Sequence, residues 1–298
     1  MLSNNKIKIG IIGVGGIGGL LAVLFSSKKF EVVCSNKKLE NKKINYKLQS
    51  KFFGNKNTKI KFTNKKLKFF DIIFICVKYQ NLKSVIKKID VKSNKIIVPL
   101  LNGLKHIDIL KNIYGEKVII ANIGKTVSFK DEKNLIIHNS TNRPVVTMSS
   151  ENKIKSKYLR LLKNILKKVD IKVNLYNSDN FVIWTKLVRI NALSTVTALY
   201  NLSLGEVRKS KKKRNLLISI LKETIHLAKY KGVKFNYKDI MREINSFPDN
   251  LTTSMQRDIA NNNKSEIETI LGGVLDEAKK ENLTLKINKR VYKLLKNK

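Results

Sequence analysis

The chain has 298 residues, of which 42% are hydrophobic, and a formal net charge of +39 from 61 Lys and Arg against 22 Asp and Glu. The length predicts two domains with buried cores, because a domain typically contains about 100–200 residues. The 3 Pro, 14 Gly and 2 Cys exclude collagen-like and disulfide-scaffold proteins, and the hydrophobic fraction excludes a disordered polycation.

The positive charge raises the hypothesis of a nucleic-acid-binding protein, since Lys and Arg neutralise phosphates. Only eight of the 61 basic residues are Arg, the residue best suited to bidentate recognition of phosphates and bases. Lys, Asn and Ile, which all have A/T-rich codons, are abundant together. We therefore interpret the excess lysine as compositional drift on solvated faces and expect no nucleic-acid partner. The densest basic run, residues 209–214, is either a nucleic-acid patch or, as we favour, the exposed entry to a helix that begins near Asn215.

An apolar stretch at residues 9–25, preceded by Lys6 and Lys8, has the composition of a signal peptide or a short membrane span. Six glycines fall within ten residues there, and each interior glycine costs a helix about 1 kcal/mol relative to alanine. The stretch instead predicts a strand at residues 8–12, a glycine turn and a helix at residues 17–27. No other segment approaches a membrane span, so we expect a soluble, cytoplasmic protein without membrane contact.

The predicted turn carries the G-x-G-x-x-G dinucleotide fingerprint in the form GVGGIG. Gly13 permits the tight turn after the strand, Gly15 lets a pyrophosphate approach the backbone, and Gly18 lets the helix pack against the sheet. The helix start, with Gly16 and Ile17, offers free N–H groups and the positive end of the helix dipole to the phosphates. A preceding strand and a following helix supply the context that the motif requires. The alternative is a glycine-rich connector without a ligand.

The residues after the second predicted strand, at residues 30–34, indicate which nicotinamide cofactor fits. An acidic residue there binds the ribose 2′-hydroxyl of NAD, whereas a basic residue accommodates the 2′-phosphate of NADP. Here the strand is followed by SNKK, and Glu31 lies at its opposite end. The missing carboxylate favours NADP, with Lys37 as the candidate ligand of the phosphate.

Strands and helices alternate through the first half of the chain. Short β-branched runs predict strands at residues 71–77, 95–99 and 117–123, with helices at residues 82–89 and 107–112. This alternation predicts a doubly wound parallel sheet, whose ligands lie beyond the carboxyl ends of the strands.

Polar residues follow two of these strands. Lys78 comes directly after residues 71–77, and Asn102 follows the strand at residues 95–99. Asn102 and Gly103 are equally well explained as a simple turn. Farther on, residues 134–138 and 144–148 predict an antiparallel pair that closes the domain.

From about Ser150 onward, amphipathic helical periods replace the strands. They predict helices at residues 154–169, 179–200, 215–231, 237–245, 255–260, 265–280 and 288–295. The predicted fold class is therefore α/β, with a Rossmann-type doubly wound sheet domain at residues 1–174 followed by an all-helical domain at residues 175–298.

Six motifs in register along the chain resemble the ketopantoate reductase (2-dehydropantoate 2-reductase) family. Besides GVGGIG they are VKYQ at residues 77–80, LNGL at 101–104, WTKL at 184–187, SMQRDI at 254–259 and SEIE at 265–268. The resemblance implies NADPH-dependent reduction of 2-dehydropantoate to pantoate, a step of pantothenate and coenzyme A biosynthesis, in a cleft between the two domains. The alternatives are a paralogous NADPH-dependent reductase of another 2-keto acid and, less favoured, a basic nucleic-acid-binding protein on a dehydrogenase scaffold. A monomer or homodimer is expected, and no metal site, since the three histidines lack metal-ligand spacing.

The same resemblance implies roles for single residues. Lys186 matches the general acid that protonates the carbonyl oxygen as hydride arrives, and an ammonium in a partly buried setting suits that task. Glu266 matches the carboxylate that holds the substrate hydroxyl and orients the lysine, and Ser254 matches a binder of the substrate carboxylate. Lys78 and Asn102 match residues that position cofactor and substrate, and Lys37 falls where the family binds the 2′-phosphate.

Two of these residues also have purely structural interpretations. Ser254 is placed where a helix N-cap is expected. Ser265 and Glu268 have the spacing of a capping box, and an acidic residue such as Glu266 in the first turn of a helix favours its dipole.

The sequence departs from the family pattern after Lys186. Many members carry an asparagine four residues later, where this chain has Ile190, and Asn191 is rotated by about 100° around the helix. A second family asparagine is replaced by Ser194. Asn191 and Ser194 are the candidate substrate contacts on this helix, and the lost amides predict a more apolar pocket.

Overall fold

The computed structural model describes residues 7–124, 126–151 and 156–297. The chain divides into two compact units. The first contains Met1–Leu101 and His106–Val182, and the second contains Asn102–Lys105 and Ile183–Lys298.

The strands of the first unit are numbered in chain order. They are β1 Lys8–Ile12, β2 Glu31–Ser35, β3 Lys43–Ser50, β4 Lys56–Thr63, β5 Ile72–Ile75, β6 Ile96–Pro99, β7 Ala121–Gly124, β8 Ser128–Lys130, β9 Leu135–His138, β10 Val145–Ser149 and β11 Lys172–Tyr176. Eight of them form one sheet in the order β6-β5-β1-β2-β4-β3-β9-β8, and β11-β10-β7 form a second sheet.

The central strands of the larger sheet run in parallel. β1 pairs in parallel with β2 and with β5, β5 pairs with β6, and β2 pairs with β4. All four residues of β5 are fully buried, as expected of a strand covered on both faces. Helices α1 Gly16–Ser27 and α4 Ser156–Lys168 contribute to the same hydrophobic core as these strands. Two further helices of this unit are α2 Leu82–Ile86 and α3 His106–Tyr114.

The second unit is helical. Its helices are α5 Asp179–Tyr200, which begins in the first unit, α6 Leu204–Lys209, α7 Lys211–Tyr230, α8 Tyr237–Asn245, α9 Ser254–Ala260, α10 Ile267–Lys280 and α11 Lys286–Lys296. The prediction of a Rossmann-type sheet domain followed by a helical domain is thereby confirmed. No helix in the described part of the chain has the length and apolarity needed to cross a membrane.

Several predicted strands differ from the observed ones. Within residues 117–123, Val118 makes only a single bridge to Ile97, and β7 begins at Ala121. The antiparallel pair predicted at residues 134–138 and 144–148 is wrong, because β9 pairs with β3 and β8 whereas β10 pairs with β7 and β11. The sequence pattern located these runs, but partners distant in sequence determine the pairing.

Four strands, β3, β4, β8 and β11, and one helix, α6, of the described residues were not predicted. Exposed lysines alternate with buried residues along β3 and β4, so the sequence did contain the period of two that is typical of half-buried strands. β11 is largely exposed. The capping box of Ser203 and Glu206 that starts α6 is a signal that the sequence did contain.

The basic run at residues 209–214 is not an entry segment ahead of a helix near Asn215. Ser210 accepts a hydrogen bond from the Lys213 N–H and caps α7, which begins at Lys211. The run therefore spans the end of one helix and the first turn of the next, with most of its charges in solvent.

Candidate active site

The glycine turn of the first unit follows β1, and two of its glycines are required by close packing. Gly13 has φ +92°, and a Cβ there would lie 2.6 Å from Val77 Cγ1. A Cβ on Gly18 would lie 1.9 Å from the Gly13 carbonyl oxygen. Both positions therefore exclude any larger residue for steric reasons.

The start of α1 leaves open space and uncapped N–H groups, which are what the phosphates of a dinucleotide need. A Cβ on Gly15 would meet no atom within 4 Å, and the first turn contains neither an acidic residue nor a side-chain cap. The first helical bond runs from the Gly19 N–H to the Gly15 carbonyl oxygen, which leaves the N–H groups of Gly16, Ile17 and Gly18 outside the helical ladder. These groups and the open space at Gly15 fit the pyrophosphate of a dinucleotide.

A steric contact that the sequence did not reveal requires glycine at position 16. A Cβ there would lie 2.1 Å from the Ser128 carbonyl oxygen, and Ser128 Oγ donates to the Gly16 carbonyl at 3.0 Å. Strand β8 therefore packs directly against the start of α1. Because β8 was not predicted, this contact could not be inferred.

Lys37 and Lys78 both follow strands of the larger sheet. Lys37 is exposed in a turn in which Asn36 Oδ1 accepts from the Lys38 N–H at 2.9 Å. Glu40, the acidic residue of this region, pairs with Lys65 at 2.9 Å. Lys78 is partly buried and precedes a short 3₁₀ turn at Tyr79–Asn81.

The second unit brings three of the predicted residues into one hydrogen-bonded chain. Lys186 Nζ donates to Asn102 Oδ1 at 2.8 Å, and Asn102 Nδ2 donates to Glu266 Oε2 at 3.0 Å. The asparagine amide thus accepts from a cation and donates to an anion, so both of its ends are satisfied. Glu266 is only 6% exposed, and it occupies the N-cap of α10.

The position of Lys186 changes its acidity. Burial, which penalises the charged ammonium, lowers the pKa of Lys186 to about 8, and the positive charge of Arg189 acts in the same direction. The carboxylate of Glu266 opposes this change and favours the ammonium. Lys186 is therefore poised to lose a proton near neutral pH, as a proton donor in catalysis requires.

A turn holds Asn102 in place against α10. Gly103 has φ +81°, and a Cβ there would lie 2.1 Å from the Thr269 carbonyl oxygen, which accepts from the Leu104 N–H at 3.1 Å. Lys105 pairs with Asp276 at 2.8 Å. Asn102 and Gly103 therefore form a turn, and that turn presents the Asn102 amide to Lys186. A role of Asn102 in binding stays a prediction.

Both predicted caps lie one residue away from their expected positions. Thr253, not Ser254, is the N-cap of α9 and forms a capping box with Gln256. Ser254 is the exposed first residue of that helix. At α10 the N-cap is Glu266 rather than Ser265, and Glu268 instead accepts from Tyr292 Oη at 2.9 Å.

The structure does not bring Asn191 to the cluster of Lys186, Asn102 and Glu266, which we call the Lys186 cluster. Asn191 is 0% exposed, and its Nδ2 donates to Thr224 Oγ1 at 2.9 Å and to Asn288 Oδ1 at 2.8 Å. This placement argues against a direct substrate contact, because the amide is committed to the packing of α5, α7 and α11. Ser194 is also buried, at 5% exposure, whereas Ile190 is partly exposed.

The described residues include no group of three or more His, Cys, Asp or Glu side chains that could hold a metal ion. Neither the glycine turn nor the Lys186 cluster therefore contains a recognisable metal centre.

Comparison with known proteins identifies the family. The model of the ketopantoate reductase PanE/ApbA family matches residues 9–150, and that of its C-terminal domain matches residues 181–298. The chain belongs to the ketopantoate reductase family. It is an oxidoreductase of that family, and the resemblance drawn from the six sequence motifs is confirmed.

The individual relatives and solved structures that this chain resembles are distant from it in sequence. A 2-dehydropantoate 2-reductase of Archaeoglobus fulgidus is 22% identical over 289 residues, 97% of this chain and 96% of the relative. The structure of a dimeric ketopantoate reductase from Staphylococcus aureus is 20% identical with a TM-score of 0.79, and 98% of each chain is covered. A D-mandelate dehydrogenase with NADH and anilino(oxo)acetate is 17% identical with a TM-score of 0.84, again with 98% of each chain covered. At these identities the solved structures establish the shared fold.

Proposed function

We propose that this family member reduces 2-dehydropantoate to pantoate with NADPH. The observation that carries the proposal is the hydrogen-bonded chain from Lys186 through Asn102 to Glu266, because it presents a proton donor of suitable acidity beside a carboxylate. These are the residues that the family resemblance assigns to catalysis.

In the proposed mechanism Lys186 Nζ gives its proton to the carbonyl oxygen of the keto acid as that oxygen becomes an alkoxide. Asn102 Oδ1 accepts from the same ammonium and fixes its direction. Glu266 accepts from Asn102 at Oε2, and a carboxylate at this place is suited to accept from a hydroxyl of the substrate. Ser254, exposed at the first position of α9, is the proposed contact for the substrate carboxylate. The nicotinamide, when bound, supplies the hydride.

The residues of the first unit support a dinucleotide. The N–H groups at the start of α1 would hold the pyrophosphate, and Gly15 leaves space for it. Exposed Lys37 supports NADP over NAD, and Lys78 is the further proposed contact on this unit. Affinities for NADPH and NADH, measured for the wild type, Lys37→Ala and the neighbouring control Lys38→Ala, test this preference.

The central experiment follows NADPH oxidation with 2-dehydropantoate. We expect Lys186→Ala to lose about 100-fold or more in kcat, since general acid catalysis contributes about 10²–10⁴-fold. Lys229→Ala, an exposed lysine on α7, is the matched control and should retain the activity. Equal turnover by Lys186→Ala and wild type would remove Lys186 from the mechanism.

A different 2-keto acid is the second candidate substrate. Ile190 lies one helical turn after Lys186 on the same face of α5 and is partly exposed. An alkyl group there favours an apolar substrate side chain over the hydroxyl of 2-dehydropantoate. Values of kcat/KM for a panel of branched and aromatic 2-keto acids decide between the candidates, and no turnover with any of them would contradict the enzymatic function.

We also infer that the protein works as a monomer or a homodimer, and the dimeric relative from Staphylococcus aureus supports the second of these. Sedimentation of the purified chain measures its mass in solution. A stable tetramer or larger assembly would contradict this inference.

A further inference from the structure

Arg189 is a second cation on the helix that carries Lys186. It lies three residues later on α5, so the two side chains emerge from neighbouring positions on the helix surface. Its guanidinium Nη1 forms an ion pair with Glu243 Oε1 of α8. The Arg189 side chain is 19% exposed and that of Glu243 is 38% exposed, so the pair is only partly screened by solvent.

Of this pair, Arg189 acts on Lys186 directly, and Glu243 acts through its ion pair with Arg189. The guanidinium repels the nearby ammonium of Lys186, and the carboxylate of Glu243 both neutralises the guanidinium and holds it in place. The other charged group that acts on Lys186 within the described residues is Glu266, which favours the ammonium. Asn102, the remaining hydrogen-bond partner of Lys186, is neutral.

We propose that Arg189, held by Glu243, is a positioning residue that acts on proton donation through Lys186. The inference rests on the proposed role of Lys186 as the general acid. The ion pair also joins α5 to α8, and a purely structural role would consist of that link alone. The two roles differ in one measurable respect. Only the electrostatic role predicts that removing the charge of Arg189 and removing the charge of Glu243 shift the pKa of Lys186 in opposite directions.

The test compares the pH profiles of kcat for the wild type, Arg189→Met and Glu243→Gln. Turnover in the reducing direction needs protonated Lys186, so it falls as pH rises through the pKa of Lys186. Removing the guanidinium should move this alkaline limb to higher pH by about half a unit or more, because repulsion of the ammonium is lost. Removing the carboxylate should move the limb to lower pH, because the guanidinium is no longer neutralised. Arg189→Lys, which keeps the positive charge, should leave the limb near its wild-type position.

A matched control separates this effect from the loss of an ion pair in general. Asp249→Asn breaks the pair of Arg208 with Asp249, at 2.8 Å, which is also in the helical unit. We expect it to lower the melting temperature without moving the alkaline limb. If Arg189→Met and Glu243→Gln likewise lower the melting temperature and leave the limb in place, Arg189 is structural only and the proposal is overturned.

A second readout does not depend on turnover. Competitive labelling of amines with acetic anhydride, followed by peptide mapping, measures the titration of Lys186 itself. Opposite shifts of the Lys186 midpoint in Arg189→Met and Glu243→Gln would establish the electrostatic coupling itself. Retained activity in Lys186→Ala would overturn the proposed function and, with it, the effect of Arg189 on proton donation, but not that coupling. Unchanged midpoints in both variants would overturn the proposal.

Discussion

The ammonium of Lys186 is partly buried, and its hydrogen bond to Asn102 replaces only part of the water that it loses on folding. Its pKa falls from 10.5 to about 8 for that reason. A lysine whose pKa is lowered by folding costs stability at every pH below the folded pKa, and the cost disappears as pH rises towards the unfolded pKa. The acidity that suits proton donation is therefore obtained at the expense of folding free energy.

This cost predicts that Lys186→Met is more stable than the wild type at pH 7, by about 2 kcal/mol. The difference should shrink between pH 8 and pH 10.5, where the wild-type lysine loses its proton in the folded state. Urea unfolding at several pH values measures it. A variant that is less stable than the wild type at pH 7 would show that the ammonium is not penalised by burial.

The glycine turn shows how one short element combines packing and binding. Gly18 is excluded from substitution by the Gly13 carbonyl oxygen, whereas Gly15 faces open space. Four consecutive positions thus include a glycine that the fold requires and a glycine for which the fold shows no steric need.

The two glycines therefore predict opposite phenotypes. Gly18→Ala should lower the free energy of unfolding by about 1–3 kcal/mol, the usual cost of overpacking. Gly15→Ala should fold with nearly wild-type stability, yet bind NADPH about tenfold more weakly, because its methyl group occupies the space at the start of α1. Thermal melts and titration of the cofactor check both variants. Equal effects of the two substitutions on stability would contradict this division.

Helix α5 supports α9 through a chain of hydroxyl groups. Thr197 Oγ1 bonds to the Leu193 carbonyl at 2.8 Å and to Thr253 Oγ1 at 2.9 Å, and Thr253 caps α9. One donor direction satisfies the whole chain, with Thr253 donating to Thr197 and Thr197 donating to Leu193. The helix that carries Lys186 thereby also locates Ser254.

Removing this link should affect substrate binding more than turnover. We expect Thr197→Val to raise KM for the keto acid about threefold to tenfold with little change in kcat, because a lost hydrogen bond costs about 1 kcal/mol. Thr197→Ser keeps the hydroxyl and serves as the matched control with a KM near the wild-type value. Steady-state kinetics measure both, and a wild-type KM in Thr197→Val would refute the positioning of Ser254 by α5.

At the scale of the whole molecule, exposed lysines occur on strands and helices of both units. Examples on β3, β4, α4, α7 and α11 are Lys43, Lys59, Lys167, Lys212 and Lys293. This spread agrees with lysine as solvated background. A net charge of +39 still creates a positive field that attracts anions such as a dinucleotide and a keto acid.

The field predicts that kcat/KM falls as ionic strength rises, while kcat stays nearly constant. Salt at 0.1 M screens charges beyond about 10 Å, so long-range attraction is lost before contacts within the site are. Initial rates at low keto acid concentration, measured in increasing potassium chloride, test this. A neutral osmolyte such as sucrose is the control, and a kcat/KM insensitive to salt would show that the charge has no role in capture.

The sequence alone determined the fold class and the family, and it predicted Lys186 and Glu266 as members of one site. Helices α5 and α8 begin and end at the predicted residues, because apolar periodicity and end signals act over a few neighbouring residues. Within the glycine fingerprint, the requirement at Gly18 is equally local, because it comes from the Gly13 carbonyl oxygen five residues earlier.

Only the tertiary structure decided how these parts are used. Asn102 meets Lys186 and Glu266 across sequence separations of 84 and 164 residues, and no local pattern shows that its amide joins the two. The sequence pattern makes Asn191 a candidate substrate contact, but its side chain bonds to residues of α7 and α11. Glycine is required at position 16 by the contact with Ser128 of β8 and not by the turn that contains it. Periodicity records which side of an element is buried, but the residue that it meets there depends on segments far away in the chain.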